Sequence, residues 1–133
     1  MNTTVYYELW QIECCGTPFK IGDTIEWYVI DADRLISSLD IDGLQYAYDA
    51  HFDEWDGIYK LNGIVNSISV YYEKYELVSA PGHDMLKPVP GISEMVPITS
   101  SEDVDIYRDE LQASGYIVEL IETDVRPAKM KLN

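Results

Sequence analysis

Apolar and polar residues alternate most cleanly between Thr24 and Ile30. Ile25, Trp27 and Val29 take one face there, and Thr24, Glu26 and Tyr28 the other. A period of two sends successive side chains to opposite sides, so this segment reads as a half-buried strand entered through a tight turn at Gly22-Asp23. Residues 3 to 12 also read as a strand, with Val5, Tyr7 and Leu9 on one face and Tyr6, Glu8, Trp10 and Ile12 on the other. Both faces are substantially apolar, which predicts a strand covered on each side. Cys14 to Pro18 ends it in a Gly-Thr-Pro turn. Tyr59 to Val78 returns to strand chemistry, because β-branched and aromatic residues suit a pleated surface. Ile64, Ile68, Val70 and Tyr72 are assigned to one face, and Val65, Ser67, Ser69 and Tyr71 to the other. Asn62-Gly63 marks a turn or a bulge before that strand.

The remaining stretches carry weaker periods. Residues 31 to 57 predict a surface loop with one helical turn around Arg34 to Leu39, followed by an acidic segment. Pro81, Pro88, Pro90 and Pro97, with Gly82 and Gly91, predict a loop or edge segment over 81–99, since proline cannot donate into a central ladder. Ser100 or Ser101 is a helix N-cap, and Glu102 and Asp103 suit the first turn. Val104, Tyr107 and Leu111 follow at helical spacing, and Gly115 fits the C-terminal cap. Tyr116 to Ile121 then reads as a closing strand, and the basic residues 126–133 as a frayed end. The expected fold class is α+β: a small, strongly bent antiparallel sheet or SH3-like β-barrel over residues 3–80, a Pro-rich connection over 81–99, and a C-terminal helix plus strand over 100–126. The whole of 1–133 is expected to form a single domain.

Charge narrows the functional classes. The 133 residues carry a formal net charge of -15, which repels phosphate backbones and anionic membranes. Direct nucleic-acid and membrane partners are therefore not expected. The charge leaves room for an acidic nucleic-acid mimic, although the acids are spread along the chain as they are in ordinary solubilising surfaces. The start MNTTVYYELW has neither a basic nor an apolar leader region, so a soluble cytoplasmic protein is expected.

The candidate chemistry is sparse. Cys14 and Cys15 are adjacent, not spaced as structural zinc ligands are, and in the cytosol they are expected as free thiols at a turn, with metal binding and redox chemistry as alternatives. In an extended segment Asp49, His51 and Asp53 would point the same way, a nitrogen and oxygen set suited to a divalent metal. No cofactor is expected beyond that possible metal. No nucleophile elbow, phosphate-binding loop or HExxH motif is present. Eleven tyrosines cluster along the strands, as interface tyrosines do and as packed strand tyrosines do too.

One longer string stands out. Trp10-Gln11-Ile12-Glu13-Cys14-Cys15-Gly16-Thr17-Pro18-Phe19, followed by Gly22-Asp23 and Trp27, resembles the opening of a bacterial family of small uncharacterised proteins, a domain of unknown function. Pro88-Val89-Pro90-Gly91 is a weaker echo of the same family. The resemblance implies a bacterial cytosolic protein and supplies no activity. The expected function is thus a non-catalytic binding or interaction module for a protein partner or for self-association. Its candidate binding residues are Trp10, Cys14, Cys15, Phe19, Trp27 and Tyr71. The alternative is a metal-dependent enzyme or metal sensor built on Asp49, His51 and Asp53.

Overall fold

The computed structural model describes residues 2–14, 16–34, 41, 43–49 and 57–128. Strands dominate them: β1 (Thr3–Glu8), β2 (Thr24–Asp31), β3 (Tyr46–Tyr48), β4 (Ile58–Ala80), β5 (His83–Ile98), β6 (Tyr107–Arg108) and β7 (Leu111–Pro127). The one α-helix among the described residues is α1 (Leu9–Cys14), and 3-10 turns cover Ala32–Arg34 and Ser101–Asp103. No helix among them is long and apolar enough to cross a membrane.

The strands lie in the order β5-β4-β2-β3-β1-β7-β6, and an additional β4–β7 pairing closes β4, β2, β3, β1 and β7 into a five-stranded ring. Closing an odd number of strands requires at least one parallel neighbour pair, and β1–β3 supplies it over only two residue pairs. Counted from β4 through β7, β1, β2 and β3, the ring order is 1-2-3-5-4. That is the connectivity of an OB-type Greek-key barrel circularly permuted, with α1 between the third and fourth strands. Architecture of this kind says nothing by itself about function.

β4 does most to close the ring. It pairs β2 from Ile58 to Ile64, β7 over thirteen positions from Tyr59 to Glu73, and β5 from Ile68 to Ala80. Such a strand must bend, and the register against β7 shifts between Asn62 and Ile64, Val65 and Ser67, and Tyr71 and Tyr72. The extra residues reverse the alternation expected from sequence. Leu61 and Val65 face the core, and after the shift so do Ile68, Val70 and Tyr72. Val65 and Ile68 therefore share the interior, whereas strict alternation sets them on opposite faces. The core is completed by Val5, Tyr7, Phe19, Ile25, Trp27, Val29, Ala113, Tyr116, Val118 and Leu120.

The α+β expectation is overturned, because the longest α-helix among the described residues has six residues and no C-terminal helix forms. Ser100 does act as an N-cap, accepting from the Glu102 N–H at 3.2 Å, but only one 3-10 turn follows. The Asp105 carbonyl accepts the Tyr72 hydroxyl at 2.7 Å, and from Leu111 the chain joins β4 in a long ladder. Tertiary pairing outweighs the helical spacing of Val104, Tyr107 and Leu111. Gly115 is no helix cap. It sits in β7 opposite Glu8, where a Cβ would come 2.8 Å from the Tyr6 ring.

The Pro-rich stretch is a strand as well. β5 ends the sheet order, so its outer edge needs no ladder donors, and Pro88 and Pro97 sit opposite Tyr75 and Ser69. The register break between Glu73 and Tyr75 sets residues 89–92 outside the ladder, with Gly91 at φ 80°. The strand expected over residues 3–12 stops at Glu8 instead, because Leu9 and Ile12 pack on the core from one helical face while Trp10 faces out. The short strand β3 had no counterpart in the sequence reading. Of the end expected to fray over 126–133, Arg126 and Pro127 instead pair with Lys60 and Tyr59 in the β4–β7 ladder, and 129–133 lie outside the described residues, as does most of the helical turn expected at 34–39.

Candidate functional site

β1 and β3 pair in parallel only at Val5 with Tyr46 and Tyr6 with Ala47. One residue further on, the seam is continued by side chains. The rings of Tyr7 and Tyr48 stack with centroids 3.9 Å apart at 13°. The buried Gln11 of α1 donates from Nε2 to the Tyr48 carbonyl at 3.0 Å, and its own carbonyl accepts the Gly16 N–H at 2.8 Å. The helix therefore plugs the seam where the short strand ends.

Two further rings meet this pair. Trp27 points inward from β2 and stands edge-on to both, 5.2 Å from Tyr7 and 5.9 Å from Tyr48. Phe19 lies 5.1 Å from Trp27 and 5.3 Å from Tyr7. Its backbone is clamped on both sides by the buried Ser101: the Phe19 N–H donates to Ser101 Oγ at 3.0 Å, and the Ser101 N–H donates to the Phe19 carbonyl at 2.8 Å. The Tyr116 hydroxyl donates to the Ser101 carbonyl at 2.8 Å. The ring positions are thus fixed by backbone hydrogen bonds as well as by packing.

Above these rings opens a cleft of about 320 Å³. The buried Tyr7, Phe19, Ile25 and Trp27 line it together with the half-buried Tyr48, and its more exposed lining comes from Gly16, Thr17 and Pro18 and from Asp23, Thr24 and Glu26. Gly16 is required for this shape, since any Cβ there would collide with the Tyr7 hydroxyl. Asp23 is held in a turn, its carboxylate accepting the Lys20 N–H at 3.0 Å while its own N–H donates to the Lys20 carbonyl at 3.1 Å. Gly22 supplies the φ of 94° that this turn needs. Glu26 pairs with Lys60 at 3.2 Å, both side chains exposed.

Two phenols, Tyr7 in the lining and Tyr116 in the core behind it, are held neutral. Burial, then the hydrogen bond with Tyr48, holds the Tyr7 phenol far above its usual range. Burial first, with the negative charge of Glu13 second, pushes Tyr116 up to about 12. Among the described residues no buried side-chain nitrogen or oxygen lacks a hydrogen-bond partner. These phenols serve as hydrogen-bonded walls, not as proton-transfer groups near neutral pH.

Of the residues singled out from sequence, Phe19 and Trp27 come together here. Trp10 does not join them. It is 50% exposed on the outer face of α1, and its indole N–H donates to Glu8 Oε2 at 2.9 Å. Tyr71 lies on the outer side of the barrel wall, buried against Tyr6 in an edge-on pair at 6.5 Å. Tyr6, Tyr7, Tyr71, Tyr72 and Tyr116 are all buried, so these strand tyrosines are packing residues and form no exposed face. Cys14 is disulfide-bonded, against the expectation of a free thiol, and Cys15 lies outside the described residues. The 3.6 Å approach of Cys14 Sγ to the Gln11 carbonyl is a contact only, because a half-cystine has no thiol proton to donate. Asp49 continues from β3, its N–H donating to the Tyr28 carbonyl at 3.1 Å. His51 and Asp53 lie outside the described residues, and among those described no group of three His, Cys, Asp or Glu side chains could hold a metal.

Gln11 and Ser101 contribute without any sequence signal for a site, and Tyr7 and Tyr48 stood out only within the strand tyrosine clusters, not as binding residues in their own right. For Tyr7 a signal existed, since it shares a face with Val5 in the first strand. For Tyr48 the alternation Tyr46-Ala47-Tyr48 was present but too short to stand out.

No curated protein and no solved structure matches the chain. Residues 1–122 match the profile of a protein family described as Family of unknown function (DUF6578). That match takes in β1, α1, β2, β3 and most of β7, and with them every described lining residue of the cleft, and the chain belongs to this family of unknown function.

Proposed function

We propose that the protein is a non-catalytic binding module whose ligand seat is the cleft above Tyr7, Phe19, Trp27 and Tyr48. The observation that carries this reading is the convergence of four rings, from β1, β2, β3 and the segment after α1, under one concave opening. Ligand sites are typically concave, and this cleft combines a concave opening with rings packed beneath it and polar groups at its edge. The shifts resolved in the lining push Tyr7 away from neutral pH, which favours binding over acid–base chemistry.

The test is a small-fragment screen on the isotope-labelled full chain, followed by amide and indole NMR shifts. Fragments that bind are expected to move the Trp27 indole N–H and the amides of Thr17, Thr24 and Tyr48. Thr17→Trp, at an exposed rim position, is expected to fill the opening and abolish those shifts with no change in fold. Binding that clusters elsewhere and leaves these signals unmoved would overturn the reading.

A further inference from the structure

We infer that Cys14 and Cys15 form a redox switch, a disulfide between neighbouring residues whose reduction by a dithiol loosens the Gly16-Thr17-Pro18 rim of the cleft. The chain has two cysteines, adjacent in sequence, and Cys14 is disulfide-bonded, so within one chain its partner is Cys15. The rim responds to this bond whether or not a ligand occupies the cleft, so the switch goes beyond the binding reading.

A bond between neighbours does little to hold a fold together. Disulfides stabilise mainly by closing a loop in the unfolded chain, and the gain shrinks with the loop. Here no residue lies between the two, and what the bond restrains is the backbone at the end of α1. That place matters for the cleft. The Gly16 N–H reaches back past both cysteines to the Gln11 carbonyl at 2.8 Å, so the pair lies inside the turn that this hydrogen bond closes. Gly16 lines the cleft and stands so close to the Tyr7 hydroxyl that no Cβ fits. Gln11, at the other end of the turn, holds the Tyr48 carbonyl through Nε2. A change in the turn therefore reaches both the rim and the β1–β3 seam.

Reduction changes the turn in two ways. It frees the backbone that the bond restrained, and it converts Cys14 Sγ, 3.6 Å from the Gln11 carbonyl, into a thiol able to donate to it. The Gly16 N–H then shares its acceptor. Cys14 is exposed, so a reductant in solution can reach it. One thiolate of the dithiol attacks a sulfur of the pair, the S–S bond breaks, and the other sulfur leaves as a thiolate. The second thiol of the reductant then attacks the mixed disulfide. Two electrons pass to the pair, the two thiol protons of the reductant end on the cysteines, and the reductant leaves as its own cyclic disulfide.

The air-equilibrated full chain is compared with the same chain reduced by dithiothreitol. The air-equilibrated monomer is expected to be two hydrogens lighter and to carry no titratable thiol even when denatured. On reduction the amides of Gly16 and Thr17 and the Trp27 indole N–H are expected to shift, and hydrogen exchange at Gly16 to quicken about tenfold or more. Leu61, Val118 and Leu77 should stay in place, and removal of the reductant in air should restore the first spectrum. Joint Cys14→Ser and Cys15→Ser substitution is expected to give the fast Gly16 exchange of the reduced chain and no response to dithiothreitol. Free thiols in the air-equilibrated chain, or a folded disulfide that dithiothreitol leaves intact, would overturn the switch. So would a reduced chain whose Gly16 and Thr17 signals do not move, and each of these outcomes leaves the fragment test of the cleft as it stands.

Discussion

The ring-lined end of the barrel and the ribbon formed by residues 75–80 with 83–88 are built from similar residue types and treat them in opposite ways. Within the barrel Val5, Val29, Leu61, Val118 and Leu120 are sealed from solvent. In the ribbon, Leu77 and Leu86 face each other across the ladder and remain 63% and 61% exposed. The cause is topological. β7 leaves β4 at Glu73, so beyond that point β4 has β5 as its single neighbour among the described residues, and a two-stranded ribbon has no second layer to bury a face against. Closure of the ring, not hydrophobicity, decides which leucine stabilises the fold.

The largest expected effect follows from that contrast. Leu120→Ala removes a side chain with no exposed area from a closed core and is expected to cost about 2–5 kcal/mol. Leu86→Ala in the ribbon is expected to stay within about 0.5 kcal/mol. Paired chemical-denaturation curves check both, and a comparable loss for the two would show that the ribbon is buried by something in solution.

Next comes the clamp beneath the cleft. Ser101→Ala takes the acceptor from the buried Phe19 N–H and is expected to cost about 1–3 kcal/mol. The Ser101 backbone bonds to Phe19 and Tyr116 survive the change, so the barrel should still fold. The NMR shifts of Phe19 and Trp27 should move while those of Leu77 and Leu86 do not. Movement at the ribbon would mean that the two regions are coupled in a way their separate ladders do not suggest.

Much of this contrast could be read from the sequence, though unevenly. β2 was legible because one of its faces is buried and the other is not, which leaves a clean period of two from Thr24 to Asp31. β4 was legible as a strand but not in phase, since the shift between Val65 and Ser67 depends on what β7 does more than 50 residues later. β5 was legible only as a loop or edge segment, because Pro88 and Pro97 bar a central strand but cost little at the edge it in fact occupies. The false helix at 101–115 had correct local signals at Ser100, Glu102 and Asp103. A long-range ladder outweighed them. Phe19 and Trp27 could be named in advance because both flank the Gly-Asp turn. Tyr7 and Tyr48 meet across a parallel contact that spans about 40 residues of chain, and no local pattern announces such a contact.

Alkaline titration sharpens the comparison with a smaller effect. Burial raises the phenols of Tyr6, Tyr7 and Tyr116 in the folded state, Tyr116 to about 12, against an unfolded value of about 10. A raised folded value means that the neutral form is favoured by folding. The stability it contributes is complete below about pH 10 and is lost as the pH climbs through about 12, where the unfolded chain ionises and the native one resists. Denaturation midpoints should be flat up to about pH 10 and then fall. Tyr116→Phe should shallow that fall, and Leu86→Ala should leave its shape unchanged.

The smallest expected effect concerns the root of the ribbon. Lys74, inside the register break of β4, pairs with Glu110 in the turn before β7 at 3.4 Å, and both side chains are well exposed. An exposed pair exchanges hydration for a weak, salt-screened attraction, so Glu110→Gln is expected to change stability by no more than about 0.5 kcal/mol. Amide hydrogen exchange gives the finer reading. Ribbon amides at Leu77 and Leu86 are expected to exchange through local opening at nearly the same rate in the variant, while Val118 and Leu61 exchange only through global unfolding. If Glu110→Gln instead accelerated the ribbon amides by about tenfold, the pair would be worth about 1.4 kcal/mol locally. Charge at the root, not the β4–β5 ladder, would then be what holds the ribbon in register.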